Sequence, residues 1–199
     1  MAFLTELDKL KGVLRRTSPI GQDRRENSAE HSWQVVLCAL ILSEHTAAPI
    51  DVLKVVKMLA LHDTVEIDVG DTFHYDKAAQ TDLHEREAKA ADRLFSLLPD
   101  DQATEFKALW EEFEAKETPE SRFAAGLDRM MPFVLNFHNQ GGTWLEYSLT
   151  KDQVLSVNWE IAAGLPELGC WIKDLVEEAD LRGYFADSST RHHSVSGPV

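Results

Sequence analysis

Two histidines and two aspartates, far apart in the chain, could together hold a metal ion. His62 and Asp63 are adjacent at the end of an apolar helical stretch, His31 lies upstream, and Asp128 lies downstream. Two neutral imidazoles and two carboxylates suit Mn²⁺, Fe²⁺, Co²⁺, Ni²⁺ or Zn²⁺ better than Ca²⁺ or an ion that prefers thiolates. A single histidine is more often structural than catalytic, but burying this whole set without a cation would be unfavourable. If the four side chains converge, we expect a metal-dependent hydrolase.

Two further acidic residues could handle protons beside such a metal. Glu66 follows His62 by four residues, so the two would share one face of a continuing helix. A carboxylate there could accept a proton from water and later pass one to a leaving group. Asp71 follows Gly70 and would be a second acid or base if this turn folds back on the site. The plainer interpretations are a solvated helix-end glutamate and an ordinary turn aspartate.

Positive side chains are concentrated in the two irregular segments that would border this site. Arg16 and Arg24 follow the first predicted helix, with Arg15 and Arg25 beside them, and Lys77 lies in a later loop. The planar fork of arginine matches phosphate oxygens. We therefore expect Arg16, Arg24 and Lys77 to contact a phosphorylated substrate. The alternative is that they only keep the surface soluble.

The composition bounds the class of protein. The 199 residues carry 20 lysines and arginines against 34 aspartates and glutamates, a formal net charge of −14. That charge disfavours a binder of long nucleic acids or of anionic membranes, but a few local arginines and a metal still allow a small phosphorylated substrate. No Cys-x-x-Cys motif, secretory signal or apolar run of membrane-spanning length is visible. We expect a cytoplasmic enzyme with two buried, reduced cysteines, Cys38 and Cys170.

Apolar residues recur at helical spacing through most of the chain, which predicts an all-α, single-domain bundle of seven or eight helices. Capping signals at Asn27 and Thr118 begin the helices that carry His31 and Asp128. The bundle is expected to cover residues 1–186, followed by a polar, disordered tail over 187–199. Helix starts are predicted near residues 3, 28, 50, 81, 101, 118, 150 and 166. The tryptophans are expected to pack in the core, with Trp33 set apart because it lies two residues from His31: Trp33, Trp110, Trp144, Trp159 and Trp171.

Three segments together resemble the HD-domain superfamily, and most closely its branch of 5′-deoxynucleotidases. They are Arg24-Arg25-Glu26-Asn27-Ser28-Ala29-Glu30-His31-Ser32, Leu61-His62-Asp63-Thr64-Val65-Glu66-Ile67-Asp68-Val69-Gly70-Asp71 and Leu127-Asp128-Arg129. The resemblance runs from the first helix to about residue 140. The order of the motifs and the Glu-x-x-x-x-Gly-Asp extension are its most specific parts.

The resemblance implies a ligand set and roles for the neighbouring residues. The metal ligands would be His31, His62, Asp63 and Asp128, holding one divalent ion of Co, Mn, Fe, Ni or Zn. Glu66 would work with water at the metal, and Asp71 would be its acidic companion. Arg16 falls where the family places an arginine near the sugar and phosphate. The bacterial prototype has a tryptophan, implicated in rejecting ribonucleotides, where this chain has Thr17, so we expect sugar selectivity to differ at Thr17.

The predicted activity is therefore a metal-dependent release of phosphate from nucleoside 5′-monophosphates, with deoxyribonucleotides favoured. The family fold, an all-α bundle of the HD-domain type that is often a homodimer, agrees with the helical pattern, and we expect a homodimer here. One alternative is another HD-type phosphohydrolase acting on a nucleoside triphosphate or a cyclic dinucleotide. That alternative could use two metals, since His74 and His84 lie where two-metal members carry extra histidines. The other alternative is a non-catalytic nucleotide-binding or scaffold protein.

Overall fold

The computed structural model describes residues 1–46, 48–76 and 78–186. Lys77 and the predicted tail, residues 187–199, lie outside the described residues. Within the described ranges the regular structure is helical, apart from one isolated antiparallel bridge between Leu14 and Asn27. The expected all-α class is confirmed, and the extent of the domain and the disorder of the tail stay predictions.

The described chain has more helices than predicted because several are short. Three 3₁₀ turns accompany the α-helices, at Asp8–Gly12, Ser43–His45 and His62–Val65. The predicted third helix is interrupted by the last of these turns, and the region after residue 141 forms three short helices. The α-helices are α1 (Ala2–Leu7), α2 (Ser28–Leu42), α3 (Val52–Leu61), α4 (Glu66–Val69), α5 (Leu83–Phe95), α6 (Asp100–Ala115), α7 (Pro119–His138), α8 (Gly142–Glu146), α9 (Lys151–Leu155), α10 (Asn158–Gly164) and α11 (Pro166–Leu181).

Helix α7 is the central element of the bundle. It packs against α2, α3, α6, α10 and α11, and most of its residues are buried. Its start is fixed as predicted: the Thr118 hydroxyl accepts from the backbone N–H of Ser121, and Pro119 occupies the first helical position. Gly126 on α7 lies close to the backbone of α10, and Gly164 on α10 lies close to the backbone of α7. The missing side chain at Gly164 thus lets α10 cross α7 at short range.

Helix α2 begins with the predicted capping box. The Asn27 side chain accepts from the backbone N–H of Glu30, and the Glu30 carboxylate accepts from the backbone N–H of Asn27. This reciprocal cap satisfies two donors that a helix start leaves unpaired. His31 therefore lies in the first turn of a well-fixed helix.

The prediction that all five tryptophans pack in the core is wrong for three of them. Trp110 and Trp144 are buried, whereas Trp33 is 65%, Trp159 is 66% and Trp171 is 46% exposed. The expectation of two buried thiols also fails, since Cys170 is exposed and Cys38 is half-buried. Helical spacing locates apolar residues on a face, but it does not say whether a neighbouring element covers that face. Across the described ranges, no helix is long and apolar enough to cross a membrane.

Candidate metal centre

Three of the four predicted metal ligands form one buried group, and Asp128 lies against both of its histidines. His31, His62 and Asp63 each offer a ligand atom, and these atoms all lie within 4.8 Å of one another. The Asp128 Oδ1 atom is 3.0 Å from Nε2 of His31 and 3.8 Å from Nε2 of His62. All four residues are buried. They come from three parts of the chain: the first turn of α2, the 3₁₀ turn after α3 and the middle of α7.

The hydrogen bonding of the His62 ring indicates that a cation binds at this point. Its Nδ1 lies 2.9 Å from the Leu59 carbonyl oxygen and so carries the proton, which leaves a lone pair on Nε2. That Nε2 atom is buried without a hydrogen-bond partner in the described chain, and Oδ1 of Asp63 lies 3.1 Å away. Burial by itself lowers the pKa of His62, but Asp63 and Asp128 raise it to about 9. A lone pair facing two carboxylates is stable only with a positive ion or proton between them, so these residues fit a divalent metal.

Arg15 is the residue at the centre that sequence reasoning underrated. Its guanidinium is 2.9 Å from Oδ2 of Asp63, 3.7 Å from Oδ1 of Asp128 and 3.9 Å from Oδ1 of Asp71. Burial disfavours the charged guanidinium, but the carboxylates of Asp63, Glu66 and Asp128 hold its pKa above the usual value. Arg15 thus balances much of the negative charge that the metal ligands and their neighbours bring together.

A short extended pairing decides why Arg15, and not Arg16, reaches the centre. The Arg15 N–H donates to the Glu26 carbonyl, and the Glu26 N–H donates to the Thr17 carbonyl, at 2.8 and 2.9 Å. In an extended segment successive side chains point to opposite sides. Arg15 and Thr17 therefore point inward with Glu26, while Leu14 and Arg16 lie on the exposed side. The alternation from Leu14 to Thr17 was the available signal, but four residues are too few to distinguish from chance.

The two predicted acidic partners of the metal both lie at the centre. The Ser28 hydroxyl donates to Oε2 of Glu66. Burial, followed by Asp63, raises the pKa of Glu66 well above its usual range. Gly70 adopts φ 75°, a conformation that favours glycine, and ends α4 so that the chain turns back. Asp71 thereby approaches Arg15. Burial raises the pKa of the Asp71 carboxyl group.

A cavity lined by part of this centre adjoins a second cavity. The first, which we call the polar cavity, contains His62, Asp63, Glu66 and Asp128 in its wall. The second, which we call the aromatic recess, has a volume of about 640 Å³ including its open mouth. Its apolar wall consists of Phe73, Tyr75, Pro132, Phe133, Trp144, Leu149 and Val157. Both cavities share Arg15, Asp71, Thr72, His74 and Arg129, so whatever enters the recess lies beside the metal ligands.

The structure separates the predicted substrate residues into different places. Arg16 lines the aromatic recess, with its guanidinium 5.9 Å from the centroid of the Tyr147 ring. Thr17 also lines the recess but is 7% exposed, and its hydroxyl donates to Oε2 of Glu26 at 2.8 Å. Arg24 is exposed, and two of its nitrogens donate to the Glu30 carboxylate. It is not among the described residues that line either cavity. Lys77 lies outside the described residues.

The two extra histidines do not complete a second donor cluster in the described ranges. His84 is exposed and stacks on Trp110, with ring centroids 6.4 Å apart. His74 lines both cavities, and burial followed by the charge of Arg129 lowers its pKa to about 4. His74 is therefore neutral at physiological pH.

Comparisons with known proteins agree with this geometry. A family model described as an HD domain matches residues 7–169. A 5′-deoxynucleotidase of Xenopus laevis (HDDC2) is 29% identical over 131 residues, which is 63% of this chain and 64% of that protein. Its counterpart in Bos taurus is 30% identical over 132 residues, 63% of this chain and 62% of that protein. The matches thus span less than two thirds of these relatives.

Solved structures extend the likeness to nearly the whole chain. A protein of Magnetospirillum magnetotacticum, described as a predicted metal-dependent phosphohydrolase, is 48% identical, with a TM-score of 0.90 and 94% of each chain covered. An HD-domain phosphohydrolase of Listeria innocua has a TM-score of 0.68, with 92% of this chain and 94% of that chain covered. At 16% identity, the second likeness supports the fold alone.

Proposed function

Because this chain belongs to the HD-domain family, we propose that it is a metal-dependent phosphomonohydrolase that releases phosphate from nucleoside 5′-monophosphates. One observation carries the proposal: His62, Asp63 and Asp128 line a polar cavity that shares five lining residues with the aromatic recess. Relatives named 5′-deoxynucleotidases and a close structural neighbour described as a metal-dependent phosphohydrolase support the reaction class. Deoxyribonucleotides are the first substrates to test.

We propose His31, His62, Asp63 and Asp128 as the ligands of one divalent ion, with Mn, Co, Fe, Ni and Zn as the candidates. Mixed nitrogen and oxygen donors of this kind suit these ions. When bound, such an ion supplies Lewis acidity to a phosphate oxygen and to water. The two imidazole nitrogens and the two carboxylates would hold the ion, and Arg15 neutralises part of the remaining negative charge of the carboxylates.

The residues around this set would bind and orient the substrate. Arg15 and Arg129 line both cavities, so they border the junction at which a 5′-phosphate would lie when its nucleoside occupies the recess. Arg16 and the aromatic wall would contact the nucleoside. We assign Glu66 to proton transfer at the attacking water, because its carboxylate is half-buried beside Asp63 and oriented by Ser28. Asp71 would hold Arg15 and the leaving-group side of the site.

The competing activities differ in what the site must accommodate. The absence of a second donor cluster in the described ranges favours one metal over two. A nucleoside triphosphate would place two more phosphates in the recess, where seven aromatic or aliphatic side chains outnumber three arginines. A non-catalytic binding protein would have no use for Glu66 held in place beside the metal ligands.

A phosphate-release screen tests the proposal. Chelator-treated protein would be reloaded with each candidate metal and given matched deoxy- and ribonucleoside monophosphates, a triphosphate and a cyclic dinucleotide. We expect metal-dependent release of one phosphate from monophosphates and none from the other two classes. Release from a triphosphate or opening of the cyclic dinucleotide would favour the other HD-type activity. No turnover of any nucleotide with any metal would refute an enzymatic role.

We also propose a homodimer formed through the outer face of α2. Trp33, Leu37, Leu40 and Ile41 lie on one helical stripe and are 65%, 38%, 54% and 68% exposed. A self-complementary apolar stripe suits a two-fold interface. Light scattering should give a dimer for the wild type and a monomer for Ile41→Lys. Leu181→Lys, at a position that is 85% exposed at the end of α11, is the control and should stay dimeric.

The cytoplasm is the compartment that we propose for this enzyme. Cys38 and Cys170 are both free thiols, as expected in a reducing environment. Fractionation of cells that express the tagged full chain would test this, and recovery in an oxidising compartment would contradict it.

A further inference from the structure

Glu26 is a buried carboxylate to which the proposed reaction assigns no role. The residue is 2% exposed, and its contacts with Thr17, Arg15 and His31 are all made by one oxygen, Oε2. That oxygen accepts from the Thr17 hydroxyl at 2.8 Å, and it lies 3.6 Å from Nε of Arg15 and 3.7 Å from Nδ1 of His31. We propose that Glu26 is a positioning residue. Its carboxylate accepts a hydrogen bond from the Nδ1–H group of His31 and so orients Nε2 toward the metal. This inference rests on the metal centre of the proposed function.

The two nitrogens of His31 face different surroundings. Nε2 lies 3.0 Å from Oδ1 of Asp128 and therefore points into the centre. Nδ1 is buried and has no hydrogen-bond partner in the described chain. A neutral imidazole whose Nε2 donates a lone pair to a metal carries its proton on Nδ1. A buried N–H needs an acceptor, and a movement of about 0.8 Å brings Oε2 of Glu26 to ordinary hydrogen-bond distance.

His62 provides the contrast that makes this assignment testable. Its Nδ1 is held by the main-chain carbonyl of Leu59, which no side-chain substitution removes. A histidine that binds a metal through one ring nitrogen generally donates a hydrogen bond from the N–H of the other to a backbone carbonyl or a carboxylate. This centre would use one of each, the carbonyl for His62 and Glu26 for His31.

The carboxylate itself is held from two sides. Its main chain pairs with Arg15 and Thr17 in the short extended ladder. Its Oε2 atom is fixed by the Thr17 hydroxyl. Thr17 therefore contributes to the centre through Glu26, which accounts for a buried threonine at the position expected to contact the sugar.

The competing explanation is that Glu26 only balances the charge of Arg15. Arg15 has Asp63, Asp71 and Asp128 within 3.9 Å, so it keeps three carboxylates when Glu26 is removed. Nδ1 of His31, by contrast, has no hydrogen-bond partner among the described residues, and Glu26 is the carboxylate that lies 3.7 Å from it. The loss of Glu26 should consequently affect the metal more than it affects Arg15.

The test measures metal binding directly. Glu26→Gln keeps the size of the side chain and an acceptor for Thr17, but it replaces the charged acceptor of His31 with a weaker one. We expect the affinity for Mn²⁺, measured by competition with a fluorescent chelator, to fall about 10- to 100-fold. The visible absorption of bound Co²⁺ should also change, which a purely structural role elsewhere would not cause. Glu30→Gln is the matched control, because this nearby carboxylate caps α2 and pairs with Arg24 rather than with the His31 ring, and this variant should bind both ions as the wild type does.

Each outcome of this test decides the inference. Wild-type affinity for Mn²⁺ and an unchanged Co²⁺ spectrum in folded Glu26→Gln protein would overturn it and leave Glu26 as a partner of Arg15. If Glu26→Gln does not fold, Thr17→Val decides instead, because it removes only the hydroxyl that holds Oε2. A smaller loss of affinity there supports the role, and wild-type affinity contradicts it. Since the readout is metal binding, a wild type that binds Mn²⁺ but hydrolyses no nucleotide would refute the proposed function and not this inference.

Discussion

Substituting Gly164 by alanine should strain the crossing of α10 over α7, the helix that carries Asp128. A Cβ atom at residue 164 would lie 2.4 Å from the carbonyl oxygen of Arg122 and 2.7 Å from the Cα atom of Phe123. Both are main-chain atoms of the central helix, so neither can rotate aside. Ordinary contact begins at 3.4 Å, and the two helices must therefore separate by about 1 Å.

Overpacking of this kind destabilises a protein by about 1–3 kcal/mol. In a chain of this size each kcal/mol corresponds to roughly 2–4 °C in Tm. We therefore expect Gly164→Ala to lower Tm by about 2–12 °C in thermal unfolding followed by circular dichroism. Gly126→Ala is the informative partner, since its Cβ would lie 3.4 Å from the Ile161 carbonyl oxygen, an ordinary contact. It should be neutral or slightly stabilising, because alanine is a better helix former than glycine.

Gly12→Ala is the control, because nothing lies within 4 Å of a Cβ atom there. Its Tm should stay within about 2 °C of the wild type, as for most surface substitutions. An unchanged Tm for Gly164→Ala would refute the reasoning, since it would mean that α10 is free to move away from α7. Equal losses for Gly164→Ala and Gly126→Ala would also contradict it, because only one of the two sites is too close for a methyl group.

Four further predictions concern the centre and its surroundings. His62→Ala should abolish metal retention and turnover, whereas His138→Ala, at an exposed position, should change neither; elemental analysis of the purified variants decides this. Glu66→Ala should retain the metal but lose roughly 10² to 10⁴ in kcat, and loss of metal would instead make Glu66 a ligand. With Thr17 in place of an aromatic, the ratio of kcat/KM for a deoxy- over a ribonucleoside monophosphate should stay below about 10³, and a larger ratio would require a dedicated contact elsewhere. Burial and a neighbouring glutamate raise the pKa of Glu87 to about 7, so the free energy of unfolding should fall as pH rises from about 5 to 7. Glu87→Gln should reduce that slope in denaturant titrations, and an unchanged slope would assign it to other groups.

The sign of the Glu87 effect follows from where its proton is bound more tightly. Its pKa is higher in the folded protein than in the unfolded chain, so protonation stabilises the fold. This stabilisation is complete below the unfolded pKa and is lost as pH rises through the folded value of about 7. Acidification below about 5 should therefore bring no further gain from this group.

Several features of this protein were predictable from sequence because they depend on neighbours along the chain. The capping boxes at Asn27 and Thr118 involve residues within one helical turn, and both helix starts are confirmed. Helical periodicity is equally local, which is why the all-α class could be predicted. The metal ligands were recognisable for a different reason: histidines and aspartates in this order matched a known family, and periodicity alone did not place them together.

Other features depend on contacts between residues that are far apart in the chain, and only the tertiary structure shows them. Arg15 rather than Arg16 reaches the centre because a pairing with Glu26, established across an intervening loop, sets which side of the segment faces inward. Glu26 itself is unremarkable in the sequence and gains its contact with His31 only through that pairing. Trp33 resembles a core residue by spacing and lies on the surface, because burial depends on whether another element covers the helix face. Local propensity and order along the chain thus determine the helices and the candidate ligands, whereas packing over long separations determines which side chains share the site.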